Sequence, residues 1–350
     1  MKNYLSRKMQ GKVPYEPVKG SYAIRMDANE SPYPLPDFVI RQFEEQLKEN
    51  TLDRYPDPGA SELIASFAHV YGVDPAHVVA GNGSDELISV IINSLLDKGE
   101  SIAVTSPEFS MYAFYAQLCE VRVCTLQKKD SYSLRELSGF VRDSGCRAVI
   151  LSNPCNPTGQ GFPRDEVLDF VRNTDALCII DEAYMDFWDQ SILDVADREP
   201  NLIVLRTLSK AYGAAGLRLG FAVGHESLIR ALNVARSPYN VNSLSQLLGK
   251  IVLDNADRIN RGPELAKMAQ SMIKELPAVL PCARVFPTCT NFVYLEVPDA
   301  EKIFNYLKTN SIAVRLMNGT HLRISVSFPE DNLKLYETLK EYQASEARKS

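Results

Sequence analysis

The sequence predicts an α/β protein, a mostly parallel sheet covered by helices on both faces, with a smaller α+β domain at the C-terminal end. Three observations support this. The chain has 350 residues, more than one hydrophobic core usually serves. Through its middle, short apolar strands alternate with amphipathic helices, the pattern of βα repeats. Several of those strands are apolar at every position, which suits a sheet buried on both faces better than one with a wet side.

Taken in order, residues 1–30 read as an N-terminal arm. A proline-rich loop, Asn29-Glu-Ser-Pro-Tyr-Pro-Leu-Pro36, leads into a helix over 37–50 with Phe38, Phe43 and Leu47 on its apolar side. A second loop, Tyr55-Pro-Asp-Pro-Gly59, precedes a helix over 61–71. Strands are predicted at 77–80, 101–105, 121–125, 148–152, 177–180, 202–205 and 219–223. After Pro238 the texture changes to a long helical stretch (243–275), a strand (291–297), a helix (300–310), two short strands (312–316 and 321–326) and a terminal helix. The expected domains are therefore the arm (1–30), a large domain (31–237) and a small domain (238–350).

Composition excludes several classes. Net charge is −6 with no long basic run, which disfavours a nucleic-acid partner. No apolar run approaches the roughly eighteen residues that cross a bilayer. The first ten residues are basic but lack an apolar core, so no secretory signal is read and a cytoplasmic location is expected. The seven cysteines show no C-x-x-C pair and are accompanied by four histidines; reduced thiols, no disulfides and no metal site are expected.

In such sheets ligands bind outside the carboxyl ends of the strands, and the residues able to do chemistry fall there. The strand 202–205 runs into Arg206-Thr207-Leu-Ser209-Lys210, followed by small residues and Arg218. A lone lysine at a helix start is ordinarily solvated; hydroxyls at Thr207 and Ser209 and a guanidinium at Arg218 make a different setting. Asp181 ends the strand 177–180, where it could cap a turn or face a cation. Asn156 sits in the stiff turn Asn153-Pro-Cys-Asn-Pro-Thr-Gly159, as a turn former or an amide donor. Gly81-Asn-Gly83-Ser84-Asp85-Glu86 is a strand, glycine turn and helix start, able to hold a phosphate on free backbone N–H groups. Its spacing fails the dinucleotide fingerprint, because Glu86 stands where a third glycine would.

Lysine, aspartate, asparagine and arginine at strand ends together match what pyridoxal 5′-phosphate (PLP) requires. Lys210 would supply the amine for a Schiff base, and it must be neutral to attack, a state favoured by desolvation and nearby positive charge. Once released, it can act as general acid and base. Asp181 would keep the ring nitrogen protonated, the condition for an electron sink. Tyr184 and Asn156 could each donate to the phenolic oxygen, although Tyr184 alone reads equally as a packed tyrosine. Phe109, in Ser106-Pro-Glu-Phe109-Ser-Met-Tyr112, could stack on the ring or pack in the core. Arg323, in His321-Leu-Arg-Ile-Ser325, and Arg315, eight residues earlier, could take an anionic substrate through their forks or make surface ion pairs.

These segments resemble the fold type I PLP-dependent aminotransferases of class I/II, and within them the histidinol-phosphate aminotransferase family. The likeness covers nearly the whole chain and includes Asn29-Glu-Ser-Pro, Arg54-Tyr-Pro-Asp-Pro58, Pro238-Tyr-Asn-Val-Asn242 and Leu322-Arg-Ile324. It implies a homodimer with shared active sites, in which Tyr55 reaches the cofactor phosphate of the other subunit. It implies that Gly83, Ser84, Asp85, Thr207, Ser209 and Arg218 serve the cofactor of their own subunit. It further implies that Arg323 accepts the phosphate of histidinol phosphate or a carboxylate of glutamate or 2-oxoglutarate, with Asn29 on the substrate side. The substrates would be a small amino donor and a keto acid. Phosphothreonine decarboxylation and aromatic amino acid transamination remain open on the same scaffold. Two positions depart from the family pattern: Ser327, where glycine is usual, and Cys155, where asparagine is commoner.

Overall fold

The computed structural model describes residues 4–14, 16–49, 52–128 and 132–348. A short strand in the arm, β1 (Ile24–Arg25), precedes a seven-stranded sheet: β2 (Val78–Asn82), β3 (Ser101–Ser106), β4 (Arg122–Gln127), β5 (Ala148–Ser152), β6 (Leu177–Asp181), β7 (Leu202–Thr207) and β8 (Leu219–Gly224). The order is β2-β8-β7-β6-β5-β3-β4. All neighbours are parallel except at β8, which runs against both β2 and β7.

Both faces of the sheet are buried except along the edge strand β4, as the uninterrupted apolar strands predict. Val149 and Leu151 belong to the core on one face, Ala148 and Ile150 to the core on the other, because side chains alternate along a strand. The reversed β8 matters for the site. It brings its own start, next to Arg218, to the edge where the other strands end.

The second sheet is antiparallel, in the order β12-β13-β10-β9, from β9 (Arg284–Val285), β10 (Phe292–Glu296), β12 (Arg315–Met317) and β13 (His321–Ser325). Between them, β11 (Ile312–Ala313) pairs in parallel with β1, Ile24 opposite Ile312. The arm is thus stitched to the C-terminal part of the chain.

Three sequence expectations change. The helical stretch 243–275 is three helices, Ser243–Asp254, Ala256–Ile259 and Gly262–Val279; Asn260 breaks it by accepting the Gly262 N–H on its side chain at 2.7 Å, a local bond that competes with the helix. The strand 312–316 is interrupted at Val314, so that one half pairs with the arm and the other with β13. The helix 37–50 ends at Leu47. The helix Ser243–Asp254 also lies after residue 238 yet packs on the helices Asp37–Leu47 and Ser61–Tyr71. It comes so close that a Cβ on Gly249 would lie 2.2 Å from Leu219.

Candidate active site

A cavity of about 380 Å³ opens at the carboxyl edge of the large sheet, closed on its far side by β13 and the arm. The loop after β7 contributes Thr207, Ser209 and Lys210, and the turn before β8 contributes Arg218. Gly83, Ser84 and Asp85 come from the start of the helix Gly83–Leu95. Phe109, Asn156, Asp181 and Tyr184 line the ring-sized centre, and Asn29 and Arg323 the opposite wall.

The phosphate-sized corner is made by close backbone approach. A Cβ on Gly220 would sit 2.3 Å from the Ser84 nitrogen, and one on Gly83 would sit 2.8 Å from Arg218 Nη2. Glycine at both positions lets β8 and the helix start meet, with Gly83 in the left-handed region at φ 78°. Free N–H groups at that helix start favour an anion. Arg218, also left-handed at φ 53°, reaches Asp85 at 3.3 Å. The Thr207 hydroxyl lies 2.9 Å from Ser209 Oγ and donates at 2.9 Å to the Leu219 carbonyl.

Asp181 is 4 % exposed. Its carboxylate accepts from the Tyr112 hydroxyl at 2.7 Å and from the Ala183 N–H at 3.0 Å. Burial nevertheless pushes its pKa up from the ordinary 3.8 to about 6, opposed by those two hydrogen bonds and assisted by the nearby Asp85 and Glu108. A cation beside it would relieve that cost. Lys210 Nζ donates to the Ala28 carbonyl at 3.1 Å and lies 5.8 Å from the centre of the Tyr184 ring.

The opposite wall is held by bonds between distant parts of the chain. Arg323 donates to Asn156 Oδ1 and to the Asp27 carbonyl, both at 2.6 Å. Asn29, left-handed at φ 53°, donates from Nδ2 to the Tyr184 oxygen at 2.9 Å. Its Oδ1 accepts from the Ser325 hydroxyl at 3.0 Å, and its carbonyl accepts from Asn291 at 3.1 Å. Asn29 thereby turns Tyr184 into an outward donor, since its oxygen already accepts.

Two expected site residues are not brought in. Arg315 sits on the edge strand β12, and its guanidinium turns to the Glu16 carbonyl in the arm at 3.3 Å. Tyr55 is 80 % exposed and stacks on Tyr239 with ring centres 4.6 Å apart. Conversely, Tyr112, Ser325 and the Ala28 carbonyl were not singled out from the sequence. Tyr112 lay within a segment already noted, three residues past Phe109. Ser325 could have been found from its spacing, two residues beyond Arg323 and so on the same face of a strand. Ser327 faces away from the cavity: its hydroxyl donates to Asp331 at 2.5 Å and its N–H to Asn332 at 3.1 Å, at the start of the terminal helix Pro329–Ala347.

The donor set fits PLP: an amine for the aldehyde, a buried carboxylate for the ring nitrogen, a glycine-lined helix start for the phosphate. A profile of aminotransferase class I and II matches residues 22–337. The chain belongs to that family. This aminotransferase is a PLP-dependent enzyme that works on amino and keto substrates. It is 36 % identical over 349 residues to a histidinol-phosphate aminotransferase of Thermoanaerobacter pseudethanolicus, covering 97 % of this chain and 99 % of that one. It is 35 % identical to one from Bacteroides fragilis, covering 94 % and 95 %. In fold it is similar to histidinol-phosphate aminotransferase of Sinorhizobium meliloti in complex with PLP, with a TM-score of 0.87, 22 % identity and 99 % of both chains covered. The aminotransferase thus has the fold type I architecture, large parallel sheet and small α+β domain together. No helix among the described residues is long and apolar enough to cross a membrane.

Proposed function

We propose that this aminotransferase moves an amino group between histidinol phosphate and 2-oxoglutarate, in histidine biosynthesis in the cytoplasm. The observation that carries the reading is Arg323, 9 % exposed, on the cavity wall facing Lys210. A guanidinium there suits a phosphate in one half-reaction and a carboxylate in the other. The named relatives at 34–36 % identity support the same substrate.

When bound, PLP supplies the electron sink for negative charge at the substrate carbon. Lys210 would hold the cofactor by its aldehyde, and its amine would serve as the acid and base that moves a proton at the substrate carbon. Asp181 holds the proton on the ring nitrogen. With Oδ1 taken by Arg323, Asn156 presents Nδ2 as a donor to the phenolic oxygen, and Tyr184 is set as a second donor by Asn29. Phe109 covers the ring. Gly83, Ser84, Asp85, Thr207, Ser209 and Arg218 cradle the phosphate, Asp85 by orienting Arg218.

Tyr55 fits the homodimer implied by family resemblance: exposed and outside its own cavity, it would complete the phosphate cradle of the partner subunit. The arm (1–30), large (31–237) and small (238–350) divisions serve this reading, with the helix Ser243–Asp254 as the small domain's anchor on the large one. The test offers purified protein histidinol phosphate with 2-oxoglutarate, and separately phosphothreonine with detection of CO2. Glutamate formation in the first assay is expected; CO2 release without glutamate would replace the reading by the decarboxylase.

A further inference from the structure

Three loops leave the carboxyl edge side by side, after β3, β4 and β5, and one buried carboxylate ties them together. Glu108 Oε2 accepts from the Thr105 hydroxyl at 2.9 Å and from Lys128 Nζ at 3.2 Å. Its Oε1 accepts from the Phe109 N–H at 3.2 Å, from the Cys155 thiol at 3.4 Å and from the Ser152 hydroxyl. Lys128 also lies 3.0 Å from Cys155 Sγ, with its ammonium over the Tyr132 ring. The side chains of Glu108 and Lys128 are each 4 % exposed.

A buried ion pair is a poor device for stability, since desolvating both charges can outweigh their attraction. Its placement points to another role. Two of the bond partners lead to the cavity: Phe109 lines it directly, and Ser152 connects to Asn156, whose N–H its hydroxyl oxygen accepts at 3.2 Å. Asn156 in turn holds Arg323. A continuous chain of hydrogen bonds runs from Glu108 through Ser152 and Asn156 to the proposed anion binder.

We propose that Glu108, balanced by Lys128 and Cys155, is a positioning residue for the cofactor-facing wall, fixing Phe109 and Asn156. This rests on reading the cavity as a PLP site. It also accounts for cysteine at 155, where the resembling family more often has asparagine. The thiol donates to Glu108 and accepts from Lys128, and an asparagine amide offers the same pair of roles.

Electrostatics gives the proposal a directional consequence. Asp181 is faced by Tyr112, by Asp85 paired with Arg218, and by Glu108, with Lys210 and Tyr184 across the cavity. Glu108 is faced by Lys128, Cys155, Tyr132 and Tyr112. Removing the lysine charge leaves Glu108 unbalanced and makes Asp181 harder to ionise. Neutralising Glu108 does the reverse. The two variants therefore move the acid limb of cofactor binding in opposite directions, which a purely structural role would not do.

The experiment titrates cofactor-free protein with PLP by quenching of intrinsic fluorescence between about pH 5 and 8, with near-UV circular dichroism as a folding control. Lys128→Met is expected to weaken PLP about tenfold and raise the acid limb by about half a pH unit or more; Glu108→Gln is expected to lower it. The double variant, which buries no unbalanced charge, should return the limb near wild type and covers the case in which a single variant fails to fold. Cys155→Asn should bind PLP like wild type, whereas Cys155→Val should bind it more weakly. Folded single variants with wild-type affinity and an unmoved acid limb would overturn the proposal. A wild-type protein that takes up no PLP at any pH is a distinct result, and defeats the cofactor reading itself.

Discussion

The two walls of the cavity are built differently. The sheet wall is made at strand ends: Asp181 closes β6, Lys210 follows β7 and Arg218 precedes β8. Its geometry is inherited from the strands of the large sheet, with the Glu108 cluster bracing the loops that follow β3, β4 and β5. The wall opposite is made from residues far apart in sequence, Asn29 on Ser325 and Asn291, and Arg323 on Asp27 and Asn156. One wall is rigid because its strands are; the other is rigid only while its cross-chain bonds persist. That division suits an enzyme that keeps one cofactor in place and exchanges two substrates.

The sharpest way to break the comparison is at Lys210. Lys210→Ala is expected to lower turnover by about a thousandfold or more and to abolish the adduct that borohydride fixes at this position, read by peptide mass spectrometry. Retained multiple turnover would remove the sheet wall from the chemistry. Next comes the cradle: Gly220→Ala places a methyl against the Gly83–Ser84 backbone, and PLP affinity should fall by about a hundredfold, measured by equilibrium dialysis, with a cost of about 1–3 kcal/mol in urea unfolding. On the other wall, Arg323→Leu should raise the KM for both substrates, a loss of about 2 kcal/mol in kcat/KM, while PLP affinity changes less than in Gly220→Ala. An Arg323 variant that lost cofactor first would blur the two walls into one.

The smallest expected effect concerns pH and the cofactor-free protein. Asp181 binds its proton more tightly when folded, about 6 against an ordinary 3.8. The folded state therefore holds more protons than the unfolded one between those values. The associated stability is present below the lower value and is lost as pH rises through about 6. Asp181→Asn should flatten that part of the curve of unfolding midpoint against pH, and PLP should flatten it in the wild type by supplying the missing cation.

Legibility followed the same division. Most of the residues proposed to hold the cofactor could be read from sequence because they lie at the ends of apolar runs, where a parallel sheet places its ligands. Arg323 could be singled out as an arginine on a short strand, and Asn29 through family resemblance, but neither reading foresaw which residues they would bond. No local pattern announces that Asn29 will meet Ser325, 296 positions away. Arg315 illustrates the opposite case, a residue legible by type that does not line the cavity of its own chain. Its type and its strand suited an anion binder, but a strand at the sheet edge offers its side chain to whatever lies beyond, here the arm. The helix 243–275 was overextended because apolar periodicity continues across Asn260, whose side chain competes for the backbone.

By itself the sequence determined the class of fold, the strands of the large sheet and the chemical kinds gathered at their ends, because hydrophobic periodicity and turn chemistry are local. Tertiary structure alone decided that β8 runs backwards and so delivers Arg218 to the correct edge. It alone docked the arm on β11 to bring Asn29 to Tyr184, and buried Glu108 with Lys128 behind the cofactor wall. Those outcomes depend on contacts between segments that share no periodicity, so only the packed chain could select them.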